Sequence, residues 1–214
     1  MPPRTLTTFE QSLADFVVKV GTERGWEYAA FLENCNGPLL SLVTERLPAR
    51  AEPTPTVVDW ANAGNDIIVH HNHLSQESLS MADWNGVVIY FDEIFAHCAD
   101  GTTYWGRALN SDAVLRMIGD RDEHLTKAEN LFRDHILSKD MHNLWPAVGT
   151  LFTKEVINRA MRIRQYVDYG FQWGGGKLPS LKASLGLGKG SVASYGPSMD
   201  IHIDAVAKAF ALTI

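Results

Sequence analysis

No stretch of this chain constrains its fold more than the run Asp66-Ile67-Ile68-Val69-His70 together with the residues up to Asp83. Apolar β-branched residues in succession read as a buried strand. The strand end carries His71-x-His73, and Ser80-x-x-Asp83 then opens a helix. Side chains alternate along a strand, so His71 and His73 share one face and His70 points to the other. Two imidazoles and one carboxylate, with a fourth position left to water, form the ligand set of a catalytic zinc site. A structural zinc site would be closed with cysteines, and the chain has no Cys-x-x-Cys. On this reading His71, His73 and Asp83 hold Zn2+, and His70 packs behind them. The plainer reading of Ser80-x-x-Asp83 is a capping pair at a helix start. The two are compatible, since a capping serine would fix the helix whose aspartate binds the metal.

The neighbouring segments alternate in the same way. Thr7-x-x-Glu10 has the form of a capping box, and Phe9, Leu13, Phe16, Val17 and Val20 recur at helical spacing, predicting a helix from about Thr8 to Thr22. Glu27 to Leu32 reads as a strand, Asn34 to Gly37 as a turn, and Leu39 to Thr44 as the returning strand. Pro48, Pro53 and Pro55 mark a loop before a short helix over Val57 to Ala63. A short helix after Ser80, a strand Glu93–Cys98, the turn Ala99 to Thr102 and a strand Thr103–Ala108 complete an α/β first half. Beyond it the pattern changes. Ser111 to Lys139 is charged with helical apolar positions, Pro146 interrupts, and Leu151 to Tyr169 again looks helical. Gly174 to about Pro197 is rich in Gly and Ser and is expected to be mobile, and Ile201 to Ile214 is apolar enough to dock back onto the body. The expected organisation is a metal-dependent hydrolase domain over 1–110 and a helical extension over 111–214.

Composition narrows the function classes. With 214 residues and a net charge of -6 the chain can bury a sizeable core, and it lacks the excess of Lys and Arg that nucleic-acid backbones require. Arg159, Arg162 and Arg164 are expected on a solvated helix face. Neither a signal core nor a segment of membrane-spanning length is evident, so the expected compartment is the cytoplasm, with export lacking a cleaved signal left open. Gly186-x-Gly-Lys-Gly-Ser191 lacks the spacing of a phosphate loop. Amide hydrolysis at a zinc site also needs a carboxylate that moves a proton without binding the metal. Glu27, Glu33 and Glu45 are candidates, and spacing alone does not choose among them.

The segment from Glu27 to about Ala108 resembles the JAB/MPN/JAMM metalloprotease superfamily, particularly its bacterial and phage branch with RadC-like domains. That family's pattern is an upstream Glu followed by His-x-His, a spacer and Ser-x-x-Asp, matched here by Glu27, His71, His73, Ser80 and Asp83. Glu27-Tyr-Ala-Ala-Phe31 looks like its Glu-led strand, which selects Glu27 over Glu33 and Glu45. The spacer of six residues after His73 is one shorter than the general pattern, and Leu74 stands where Pro is usual. The resemblance implies a mixed, curved sheet flanked by helices, with an α-helical C-terminal extension. It implies a zinc-dependent peptidase or isopeptidase in which Glu27 shuttles the proton and Ser80 hydrogen-bonds the oxyanion. The implied partner is a protein or peptide, ubiquitin-like tails included; the net charge of -6 and the lack of a membrane-length segment argue against nucleic acid and membrane. From a different class comes a JAB-fold binding module in a DNA-repair, phage or effector context.

Overall fold

A computed structural model describes residues 4–175 and 192–214. Six strands form one mixed sheet: β1 (Ala29–Glu33), β2 (Leu39–Val43), β3 (Ile67–His73), β4 (Glu93–Cys98), β5 (Thr103–Ala108) and β6 (Val167–Gln172). Their order is β2-β1-β3-β4-β5-β6. Only β3 and β4 run parallel, because the helix between them carries the chain back across the sheet. The helices are α1 (Thr8–Arg24), α2 (Pro55–Asn62), α3 (Met81–Ile89), α4 (Ser111–Gly119), α5 (Arg121–Ser138), α6 (Trp145–Ile163) and α7 (Val192–Ala211). The protein is thus of the α/β class, with a mixed sheet between helices and a helix at its C-terminal end. No helix among the described residues is long and apolar enough to cross a membrane.

Register explains the layering. Ala29 lies opposite His71, His71 beside Ala96, Ala96 opposite Tyr104, and Tyr104 opposite Phe171. That row, with Phe31, Val69 and Ile94 next to it, faces α3, α6 and the other second-half helices in one large apolar core. The alternate residues Ala30 and Leu32 face Leu13 and Val17 of α1. The α1 helix starts with the capping box read from Thr7 and Glu10 and ends at Gly25, whose φ of 71° lets the chain turn away. On the core face, β5 has Gly106 under α3. A Cβ there would lie 2.3 Å from the Trp84 ring and 2.9 Å from Leu79, so the missing side chain is what lets α3 approach the sheet.

The second half departs from its expected pattern in three places. Ser111 to Lys139 is two helices, broken at Gly119-Asp120. Pro146 does not interrupt a helix: it sits in the first turn of α6, where its missing N–H costs nothing. The helix expected up to Tyr169 ends at Ile163, and Val167–Gln172 forms β6, the edge strand paired with β5. The two halves therefore share one sheet. The Gly-rich stretch from 176 to 191, with its Gly-Lys-Gly run, lies outside the described residues, and Pro197 is already inside α7.

Three helices, α5, α6 and α7, pack into a bundle around Phe132, Phe152, Val156, Ile203 and Phe210, all buried. Arg159, expected on a solvated face, is instead buried at the α6–α7 seam. It donates to Glu155 at 2.8 Å, Asp200 at 2.7 Å and Asp204 at 2.6 Å, and its guanidinium lies 4.1 Å from the Phe171 ring centroid. A buried guanidinium survives only when charge partners replace its water, and here three carboxylates do so.

Candidate metal centre

His71 and His73 leave the C-terminal end of β3 on its core face, and α3 begins beside them. Their Nε2 atoms are 2.9 Å apart. Asp83 Oδ1 lies 3.3 Å from His71 Nε2, and Oδ2 lies 3.5 Å from His73 Nε2. The three ligand atoms all fall within 4.8 Å of one another. The carboxylate is held by its own helix: the Ser80 N–H donates to Asp83 Oδ2 at 2.6 Å, and the Asp83 N–H donates to Ser80 Oγ at 3.2 Å. The capping box and the convergence of His71, His73 and Asp83 are thus present together. A helix N-terminus also favours the negative charge of Asp83.

The surroundings fix the imidazoles. His73 Nδ1 lies 2.8 Å from the Glu77 carbonyl, which can only accept, so the proton sits on Nδ1 and Nε2 is presented to the cluster. Burial pushes the Asp83 carboxyl up, but hydrogen bonds from His71 and His73 outweigh it and hold it well below the usual aspartate value. Burial likewise pushes His73 down, and the hydrogen bond and charge of Asp83 reverse the sign and raise it. Nδ1 of His71 is buried without a partner. Two neutral-capable imidazoles and a carboxylate on one point match three protein ligands of a catalytic zinc, so the residues present fit that metal. His70 is on the opposite face as expected, stacked on Phe95 and 3.0 Å from His97.

A cleft of about 280 Å³ opens over the cluster. Glu27, His71, His73, Ser80 and Asp83 all line it, and residues 48–53 form its outer wall. Glu27 precedes β1 rather than opening it, because the ladder starts at Ala29. Glu33 sits at the far end of β1 opposite Ile67, and Glu45 pairs with Arg50 at 3.2 Å; neither lines the cleft. Burial pushes the Glu27 carboxyl up from its ordinary value, and the nearby His71 and His73 offset only part of that.

Some supporting residues carry no motif. Asn72, between the two histidines, points away from them. It accepts from the Tyr28 N–H at 2.7 Å and donates to the Trp26 carbonyl at 3.2 Å, gripping the backbone on both sides of Glu27. From α6, Lys154 pairs with Glu77, the residue whose carbonyl holds His73. Asn158 donates to Ser78 Oγ at 2.8 Å and to the Leu79 carbonyl at 2.9 Å, and accepts from Trp84 Nε1 at 2.7 Å. Ser78 in turn bonds the Tyr169 hydroxyl at 2.7 Å, and Tyr169 donates to Glu155. These bonds join residues far apart in sequence, which spacing could not reveal. Asn72 alone had a local signal: a polar residue on the buried side of a strand needs a partner. Comparison of the chain with protein-family models, curated proteins and solved structures finds no match in any of the three.

Proposed function

We propose that the protein is a zinc-dependent hydrolase of the JAB/MPN type that cleaves a peptide or isopeptide bond. One observation carries the reading: His71, His73 and Asp83 converge at the floor of a cleft that Glu27 also lines, off the cluster. Zinc, when bound by these three, supplies the positive charge that acidifies water and polarises a carbonyl. Glu27, at the cleft and off the cluster, accepts a proton from the attacking water and delivers it to the leaving nitrogen. Ser80 Oγ already accepts from Asp83 N–H, which uses a lone pair and leaves the hydroxyl proton to donate to the oxyanion. The substrate is a protein or peptide, a ubiquitin-like tail being one candidate.

Zinc content and hydrolysis test this separately. The purified protein should hold one zinc equivalent, and His71→Ala or Asp83→Ala should lose it. Glu27→Gln should keep the zinc and slow hydrolysis of a fluorogenic peptide or ubiquitin-like amide by about 10²–10⁴-fold, the usual contribution of general acid–base catalysis. Zinc retained in both ligand variants would refute the metal site. Zinc bound with no turnover of any amide would leave a metal-containing binding module.

A further inference from the structure

Next to the metal cleft, separated from it by the first turn of α3, lies a second cavity of about 250 Å³. Leu79 just before α3, Met81 at its start, Leu125 from α5 and Ile157 from α6 give it an apolar floor. Ser80, Ala82 and Lys154 border both cavities, so the two lie side by side at the hydroxyl assigned to the oxyanion. We infer that this cavity is a specificity pocket that takes the apolar side chain, leucine- or phenylalanine-sized, of a residue next to the scissile amide. The inference rests on the hydrolase reading of the adjoining cleft.

Size and charge decide the occupant. Clefts that enclose a whole small-molecule ligand run to roughly 300–1,000 Å³. This one, at about 250 Å³, adjoins the cleft of about 280 Å³ over the cluster, so it suits a side chain attached to something lying in that cleft. Lys154 pairs with Glu77, and the exposed Arg121 side chain lies 3.3 Å from Asp122. A charged side chain would be desolvated against Leu79, Met81, Leu125 and Ile157, whereas an apolar one gains by burying surface on both sides. Lys154 keeps N–H donors beyond the one facing Glu77, available to a main-chain carbonyl passing between the cavities. No such pocket is available to the first half of the chain alone, since two of its four apolar walls come from α5 and α6.

Two measurements on the full-length, zinc-loaded protein test the pocket. In the first, methyl signals of Met81 and Leu125 are followed by NMR during titration with N-acetyl-L-leucinamide and with N-acetylglycinamide. Saturable shifts at both methyls with the leucine compound, at concentrations at least about tenfold lower than with glycine, are expected; a single methylene in an apolar pocket already discriminates by roughly 10–200-fold. In the second, peptides varied at one position should show kcat/KM favouring Leu or Phe over Gly by a ratio in that range, and the ratio should fall toward one in Leu125→Trp. Met81→Phe, filling the cavity from the other wall, repeats the test where Leu125→Trp does not fold, with zinc content as the folding control. Turnover without side-chain preference, or equal shifts with both compounds, overturns the pocket and leaves the hydrolase reading standing. Leucinamide bound at Met81 and Leu125 without any peptide turnover keeps the pocket and removes the hydrolase reading.

Discussion

Asn72 stands between the two cluster histidines yet faces the other way, where its amide spans the Trp26 carbonyl and the Tyr28 N–H. Glu27 is therefore positioned by its backbone neighbours, and through Asn72 its place is tied to the strand that bears His71 and His73. Asn72→Ala should keep zinc but cut kcat/KM by about tenfold to a hundredfold, because small misplacements of a reacting group cost that much. The two lost hydrogen bonds should also lower stability by about 1–3 kcal/mol, visible in a denaturant titration. Gly21 provides an independent approach: a Cβ at that position would lie 2.3 Å from Asn72 Nδ2, so Gly21→Ala should produce the same separation of zinc binding from turnover. On the other face of the sheet, Glu10 bonds Arg4 at 2.5 Å and lies 3.4 Å from His70. Burial raises the Glu10 carboxyl, but hydrogen bonds to His70 and Arg4 outweigh it and lower it below the glutamate range. A carboxyl lowered on folding contributes stability above its unfolded value and loses it as pH falls toward the folded one. Thermal stability should therefore drop on acidification below about pH 4.5, the ordinary glutamate value, and Glu10→Gln should flatten that limb; an unchanged slope in the variant would remove Glu10 as its cause.

Among the elements, α6 contributes most to the site without supplying a proposed ligand. Lys154 braces Glu77 and thereby His73, and Asn158 ties Ser78, Leu79 and Trp84 at the entry to α3. Lys154→Met should weaken zinc affinity by about tenfold in a chelator competition, the low end of what outer partners of a ligand contribute. Asn158→Leu leaves the Trp84 N–H and the Leu79 carbonyl buried without that partner and should cost about 2–4 kcal/mol. How much of this was legible depends on range. The convergence of His71, His73 and Asp83 could be read locally, since strand alternation and a capping box fix all three. Glu27 could be chosen over Glu33 and Glu45 only through the family resemblance, because its partner across the sheet is set by the register of Ala29 with His71. The roles of Lys154 and Asn158 left no trace in spacing. Strand β6 was hidden for a local reason: Ile163 and Val167 continue a helical stripe. The chain leaves the helix at Gln165, with φ of 59°, where a glycine would have signalled the stop.

For the whole molecule, the pairing of β5 with β6 means that a cut near Asn110 runs through the sheet's support rather than between two bodies. The sequence alone suggests that a chain ending there would keep zinc and lose selectivity or activity. With β6, α6 and Asn158 removed, Tyr104 and Trp84, both fully buried, would face water. Such a chain is expected to bind an apolar dye and melt without a cooperative transition; a sharp melt with bound zinc would show that the first 110 residues fold alone. The span of the Lys154–Glu77 pair, 77 residues, has one more consequence. His71, His73 and Asp83 leave the ribosome close together, well before their brace is made. On the hydrolase reading, a nascent chain would meet its metal ion while the site is still loose, and the later closure of α6 would decide which ion stays. Pulse-labelled chains arrested before and after Lys154 should then differ in how fast a chelator strips them, and equal rates would place the choice at first contact.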